Sequence, residues 1–138
     1  MQTVFAISTD GPGLTEFTPD VARWLLRESA GDGLLTLFVR HTSCSLLIQE
    51  NADPDVRRDL IAYLSRLVPP ADDPSMSYLR HTLEGPDDMP AHIKAALLPV
   101  SLSIPVSGGK MMLGAWQGIY LFEHRAHPHR RQVAAQFS

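Results

Sequence analysis

The chain opens on an alternating pattern. In residues 2–9, Val4, Ala6 and Ser8 fall on one side and Thr3, Phe5 and Ile7 on the other, which predicts a strand ended by Gly11-Pro12-Gly13. The period then lengthens. Thr18-Pro19-Asp20 offers a cap, a proline suited to the first helical position and an acid at the positive end of the dipole. Val21, Trp24, Leu25 and Glu28 recur at helical spacing until Gly31 and Gly33, so Trp24 is read as core. Residues 34–40 form a strongly apolar strand, and residues 43–49 a second, with His41-Thr42 between them. Asp53-Pro54 starts a second helix, whose inner stripe is Val56, Leu60, Tyr63, Leu64 and Leu67 and which Pro69-Pro70 ends.

Residues 71–77 read as a loose connection, and a Pro/Gly-broken polar loop follows. Pro90 begins a short helix over residues 90–98, which places His92 and Lys94 near its first turn. Residues 101–106 and 110–113 form a hairpin about Ser107-Gly108-Gly109. Residues 115–123, in which Gly118 marks a bulge or a close backbone approach, and residues 132–137 complete the strands. The order predicts an α+β protein: one domain over residues 1–138, with a mostly antiparallel sheet, sandwich-like or a partly open barrel, two main helices and one short one.

Composition narrows the function. Hydrophobic residues are 44% and charged ones 20%, a globular balance. A net charge of -3 supplies no basic field, so nucleic acid is not an expected partner. No apolar run approaches the roughly 20 residues that span a bilayer, so no membrane partner is expected either. The single cysteine, Cys44, fits a reducing compartment, and with no secretory signal visible the expected location is the cytoplasm. Nothing beside Cys44 supplies the base a nucleophile needs, so it is read as a buried structural thiol.

Candidate chemistry gathers in residues 78–94, where His81, Glu84, Asp87, Asp88 and His92 share one loop region. Imidazole with carboxylate makes a metal site or an acid/base pair, although the spacing from His81 to His92 matches no short metal signature. A second concentration runs from His41 through Cys44 to Glu50, Asn51 and Asp53. Asn51 to Arg58 is either an anion pocket at a helix start or a set of aspartates that cap the helix and pair with Arg57 and Arg58. Trp116 and Gln117 offer a stacking surface and an amide, and residues 124–131 form a basic turn that either meets a phosphate or faces water.

Taken together these blocks resemble the YjbQ-like family, also described as secondary thiamine-phosphate synthases. The resemblance is carried by His41-Thr-Ser-Cys-Ser-Leu-Leu-Ile-Gln-Glu-Asn-Ala-Asp-Pro-Asp, by His81, Glu84-Gly85 and Ala91-His92-Ile93-Lys94, and by Leu113-Gly-Ala-Trp-Gln-Gly-Ile-Tyr-Leu. It implies a homotrimer in which His41, His81 and His92 converge on a divalent metal ion, zinc or magnesium, or else on a phosphate. No organic cofactor is expected. On this resemblance His41, His81, Glu84 and His92 are catalytic, and Glu50, Asn51, Lys94, Trp116 and Gln117 bind a small phosphorylated metabolite. The implied reaction joins a hydroxymethylpyrimidine diphosphate to a thiazole phosphate and releases pyrophosphate, as a side activity of a His-rich pocket. Metal-dependent hydrolysis of a phosphorylated metabolite, or metal or anion binding without catalysis, are the alternatives. The dedicated (β/α)8 enzymes need at least about 200 residues, so this chain cannot share their scaffold.

Overall fold

Two antiparallel sheets face each other across one core. The computed structural model describes residues 1–138. The larger sheet has the order β1-β8-β3-β5-β6, from β1 (Gln2–Thr9), β8 (His129–Phe137), β3 (Gly33–Val39), β5 (Ser101–Ser107) and β6 (Lys110–Met111). The smaller has the order β2-β7-β4, from β2 (Gly13–Glu16), β7 (Gln117–Glu123) and β4 (Cys44–Glu50). Every ladder is antiparallel. The α+β sandwich expected from the order of elements is the one observed. β2 is the strand the pattern hides: four residues behind Gly11-Pro12-Gly13, too short to show a period.

Strand alternation sets the core. Ile7, Leu35, Leu37, Val39, Ile104, Val106, Val133 and Ala135 point inward from the larger sheet and meet Leu46, Ile119 and Leu121 of the smaller one. Helix α1 (Thr18–Arg27) closes the side with Val21, Trp24 and Leu25, all buried. Thr18 does not cap it. Its hydroxyl donates to Glu16 Oε2 at 2.8 Å and accepts from Ile119 N at 2.7 Å, which pins the helix start to β7 instead. Asp53 does cap α2 (Pro54–Leu67), accepting from Asp55 N at 2.9 Å. The stripe expected to bury α2 is only half covered: Leu64 is buried, while Tyr63 and Leu67 are exposed.

Three connections change sheets at the same end of the sandwich: residues 10–12 between β1 and β2, 40–43 between β3 and β4, and 124–128 between β7 and β8. Loops there escape the demands of a ladder, so polar side chains can converge. Helix α3 (Asp88–Leu97) lies against that end. It begins two residues before Pro90, because a proline in the first turn removes no helical hydrogen bond.

Candidate metal and anion site

The base of the site is a buried ion pair. Arg131 reaches back from β8 to Glu123 at the end of β7, with Nε to Oε1 at 2.8 Å and Nη2 to Oε2 at 2.6 Å. Both side chains are essentially inaccessible. Thr9 Oγ1 donates to Glu123 Oε1 at 2.8 Å, so the β1–β2 and β7–β8 crossovers are tied together. Burial alone would raise the Glu123 carboxyl, but the hydrogen bonds from Arg131 and Thr9 outweigh it and hold its pKa low. The turn read as basic, either meeting a phosphate or facing water, is divided: His124 and Arg131 are buried and Arg125 is paired, while His127 and Arg130 face water.

Arg131 Nη2 also donates to Ser43 Oγ at 3.0 Å, and Ser43 N donates to His41 Nδ1 at 3.1 Å. A nitrogen that accepts from a backbone N–H carries no hydrogen, so neutral His41 keeps its proton on Nε2. Burial, followed by the nearby Arg131 charge, lowers the His41 pKa and favours that neutral form. His41 is thus oriented as a hydrogen-bond donor.

The converse holds for His92. Its Nδ1 donates to the Thr42 carbonyl at 3.0 Å, which in the neutral ring puts the lone pair on Nε2. That nitrogen lies 3.3 Å from Oδ2 of Asp88, one helical turn earlier on the same face of α3. His81 Nε2 sits 2.6 Å from the same oxygen and 3.1 Å from Glu84 Oε2. Arg125 fixes the whole group: Nη1 to Asp88 Oδ1 at 2.6 Å, Nε to Asp87 Oδ2 at 2.8 Å and Nη2 to the Glu84 carbonyl at 3.3 Å. Burial works to raise the Asp88 carboxyl, yet the hydrogen bond from His81 and the Arg125 charge leave it lowered. The His81 pKa is raised, chiefly by its bond to Asp88.

The donor atoms of His81, Asp88 and His92 all lie within 4.8 Å of one another. His41 is not among them. Its ring lines, with Thr42 and His92, a groove of about 410 Å³ walled by Phe38, Val39 and Val100. Of the expected metal ligands the fold brings His81 and His92 together, with Asp88 as the third group within reach, and leaves His41 outside that cluster. A signal for Asp88 did exist in the sequence: Asp88 and His92 are four residues apart, on one face once the helix starts at residue 88.

The expected substrate residues lie elsewhere. Glu50, Asn51, Trp116 and Gln117 gather at the far end of β4 and β7, ~20 Å along the strand from His41 at the usual rise per residue. There Asn51 N donates to the Trp116 carbonyl at 2.9 Å and Asn51 Nδ2 to Glu16 Oε2 at 3.1 Å, while one Glu50 carboxylate oxygen has no partner. Gly118 is a close approach and not a bulge: a Cβ there would stand 2.5 Å from Glu16 Oε2. Lys94, two residues after His92, points to the other side of α3. Arg57 donates to the Tyr120 hydroxyl at 3.2 Å, so the start of α2 is a capped helix against β7.

The model of the family described as UPF0047 protein YjbQ-like matches residues 3–138. The chain belongs to this YjbQ-like family. UPF0047 protein sll1880 of Synechocystis is 46% identical over 137 residues, covering 99% of this chain and 90% of that protein. YjbQ of Salmonella typhimurium is 48% identical over 103 residues, covering 75% of this chain and 71% of its own length. Among solved structures, a YjbQ-like protein of Clostridium acetobutylicum superposes with a TM-score of 0.86 at 32% identity, covering 99% of each chain. A conserved hypothetical protein of Thermus thermophilus gives 0.84 at 34% identity, again over 99% of each. The sandwich with its crossover end is therefore the YjbQ-like fold, not a peculiarity of this chain.

Proposed function

We propose that His81, Asp88 and His92 hold a divalent cation at the mouth of the His41 groove, and that the protein acts there on a small phosphorylated metabolite. The observation that carries this is Asp88 Oδ2, which faces the Nε2 of two imidazoles at 2.6 and 3.3 Å. In a neutral His92 that nitrogen offers a lone pair, so two acceptors confront each other unless a proton or a metal ion lies between them. Two imidazoles, one carboxylate and an open side suit zinc or a similar divalent ion better than magnesium, which prefers oxygen ligands. Arg125 anchors the other Asp88 oxygen, the kind of supporting contact that orients a ligand. A cation in this position supplies Lewis-acid stabilisation of charge on phosphate oxygens.

The reaction we assign follows the family resemblance: joining a hydroxymethylpyrimidine diphosphate to a thiazole phosphate. The thiazole nitrogen bonds to the pyrimidine methylene carbon as the carbon–oxygen bond to the diphosphate breaks, and pyrophosphate leaves. His41 Nε2–H donates to an oxygen of the departing diphosphate, and the apolar walls at Phe38 and Val100 exclude water from the carbon. Purified protein given both substrates and zinc or magnesium is expected to form thiamine phosphate, and His81→Ala to lose more than ten-fold of that rate. Product at the background level in every metal would sink the assignment.

A second reading is metal-assisted hydrolysis of a phosphorylated metabolite, favoured by Glu84. Its carboxylate is exposed beside His81 and stands where a base activating water would be needed. Faster turnover of another phosphate ester than of the thiamine precursors would select it. The cytoplasm suits either chemistry, and no helix is long and apolar enough to cross a membrane. A homotrimer would give covers to Val4, Leu34 and Phe38, exposed on the outer face of the larger sheet.

A further inference from the structure

On the other side of α3 lies a second cavity of about 250 Å³ that shares no residue with the histidine groove. Residues 92, 95 and 96 line the groove, whereas 87, 90 and 94 line this cavity, as opposite faces of one helix require. We propose that this cavity binds a small monocarboxylate, with Lys94 and His124 as the groups that receive its carboxylate.

His124 is 3% exposed and lines the cavity. Its Nε2 is 2.8 Å from the Ser45 hydroxyl, whereas its buried Nδ1 has no partner at all. Buried polar atoms are almost always satisfied, and an orphaned one signals a missing partner. When the Ser45 hydroxyl donates to Nε2, the Nδ1 carries the hydrogen and is a free donor. Lys94 presents the second donor. Its ammonium forms no ion pair and no hydrogen bond, unlike the neighbouring guanidinium of Arg125, which Asp87 and Asp88 engage. The one carboxylate lining the cavity, Asp87, forms no ion pair with Lys94 and is turned toward Arg125 instead. Asp87 Oδ2 already accepts from Arg125 Nε and Ala126 N, each at 2.8 Å. Two donors therefore line a cavity whose one carboxylate already engages Arg125 and Ala126 and whose only other side-chain acceptor is the Ser65 hydroxyl.

Charge and shape define the class of ligand. One ammonium beside an uncharged imidazole balances a single negative charge, and Asp87 on the wall disfavours a phosphate dianion. Pro12, Pro70, Pro86, Pro90 and Val68 make most of the remaining wall apolar, and Ser65 adds one hydroxyl. The volume equals that of ~8 liquid waters, enough for a short aliphatic acid and too little for a nucleotide.

The test uses the full chain with sodium butyrate and, separately, inorganic phosphate, followed by calorimetry and by the ring resonances of His124. Butyrate is expected to bind saturably in the millimolar range or tighter, to shift the His124 ring signals, and to outcompete phosphate. Lys94→Met, which keeps the apolar stem, should weaken butyrate at least ten-fold, and His81→Ala should leave it unchanged. The His124 shift is read in the unaltered protein, so the proposal is testable even where Lys94→Met does not fold. Absence of saturable binding, equal affinity in Lys94→Met, or preference for phosphate overturns it. Because His81→Ala removes the proposed cation site alone, failure of either site is distinguishable from failure of the other.

Discussion

His81 Nε2 lies 2.6 Å from Asp88 Oδ2, and that one contact joins a residue of the 78–87 loop to the first turn of α3. It holds the His81 pKa above the ordinary histidine value in the metal-free protein. The sign follows directly: the contribution to stability is fully present below the unfolded value of about 6.5 and is lost as pH rises through the folded value. Histidine NMR titration of the metal-free protein should give His81 a midpoint above about 6.5, and Asp88→Asn should lower it. A midpoint unmoved by Asp88→Asn would contradict this coupling.

The Glu123–Arg131 pair is bidentate and inaccessible to water. Removing one partner leaves the other charge buried, so Glu123→Ala is expected to cost about 3–5 kcal/mol. Chemical denaturation measures it. Replacing both residues together with apolar ones should cost less than Glu123→Ala alone, because no bare charge remains.

His124 is buried, and desolvation, followed by the Lys94 charge, pushes its pKa down to about 3. A depressed histidine favours the unfolded state once that state is protonated. Stability should therefore fall as pH drops from about 6.5 toward 3, with a slope approaching about 1.4 kcal/mol per pH unit from this group. Denaturant titrations at several pH values should show that slope shrink in His124→Gln.

Cys44 is buried and its thiol is pushed up to about 11, mainly by burial. At pH 8 roughly one thiol in a thousand is ionised, so a disulfide reagent should label it only on unfolding. Rapid labelling of the folded protein would show that β4 opens at Cys44.

Much of this was legible in the chain. Alternation revealed β1, apolar runs revealed β3, β4 and most of β8, and Asp53-Pro54 marked the start of α2, because a ladder and a cap are local effects. Trp24 and Cys44 went to the core as their surroundings implied. Three features escaped, each for a physical reason. Pro90 looked like the first residue of α3, which left Asp88 in a loop and off the face it shares with His92. The Glu123–Arg131 and Arg125–Asp88 pairs depend on how β7 turns into β8, which no spacing reveals. Tyr63 and Leu67 kept a helical stripe yet stay exposed, since periodicity says which face is apolar and not what covers it.

The cation site is tested most directly by zinc calorimetry on the metal-free protein, paired with anomalous diffraction from a zinc-soaked crystal. We expect one zinc per chain about 2.0–2.2 Å from His81 Nε2, Asp88 Oδ2 and His92 Nε2, with affinity lost in Asp88→Asn. Zinc bound elsewhere, or equal affinity in Asp88→Asn, would contradict the account.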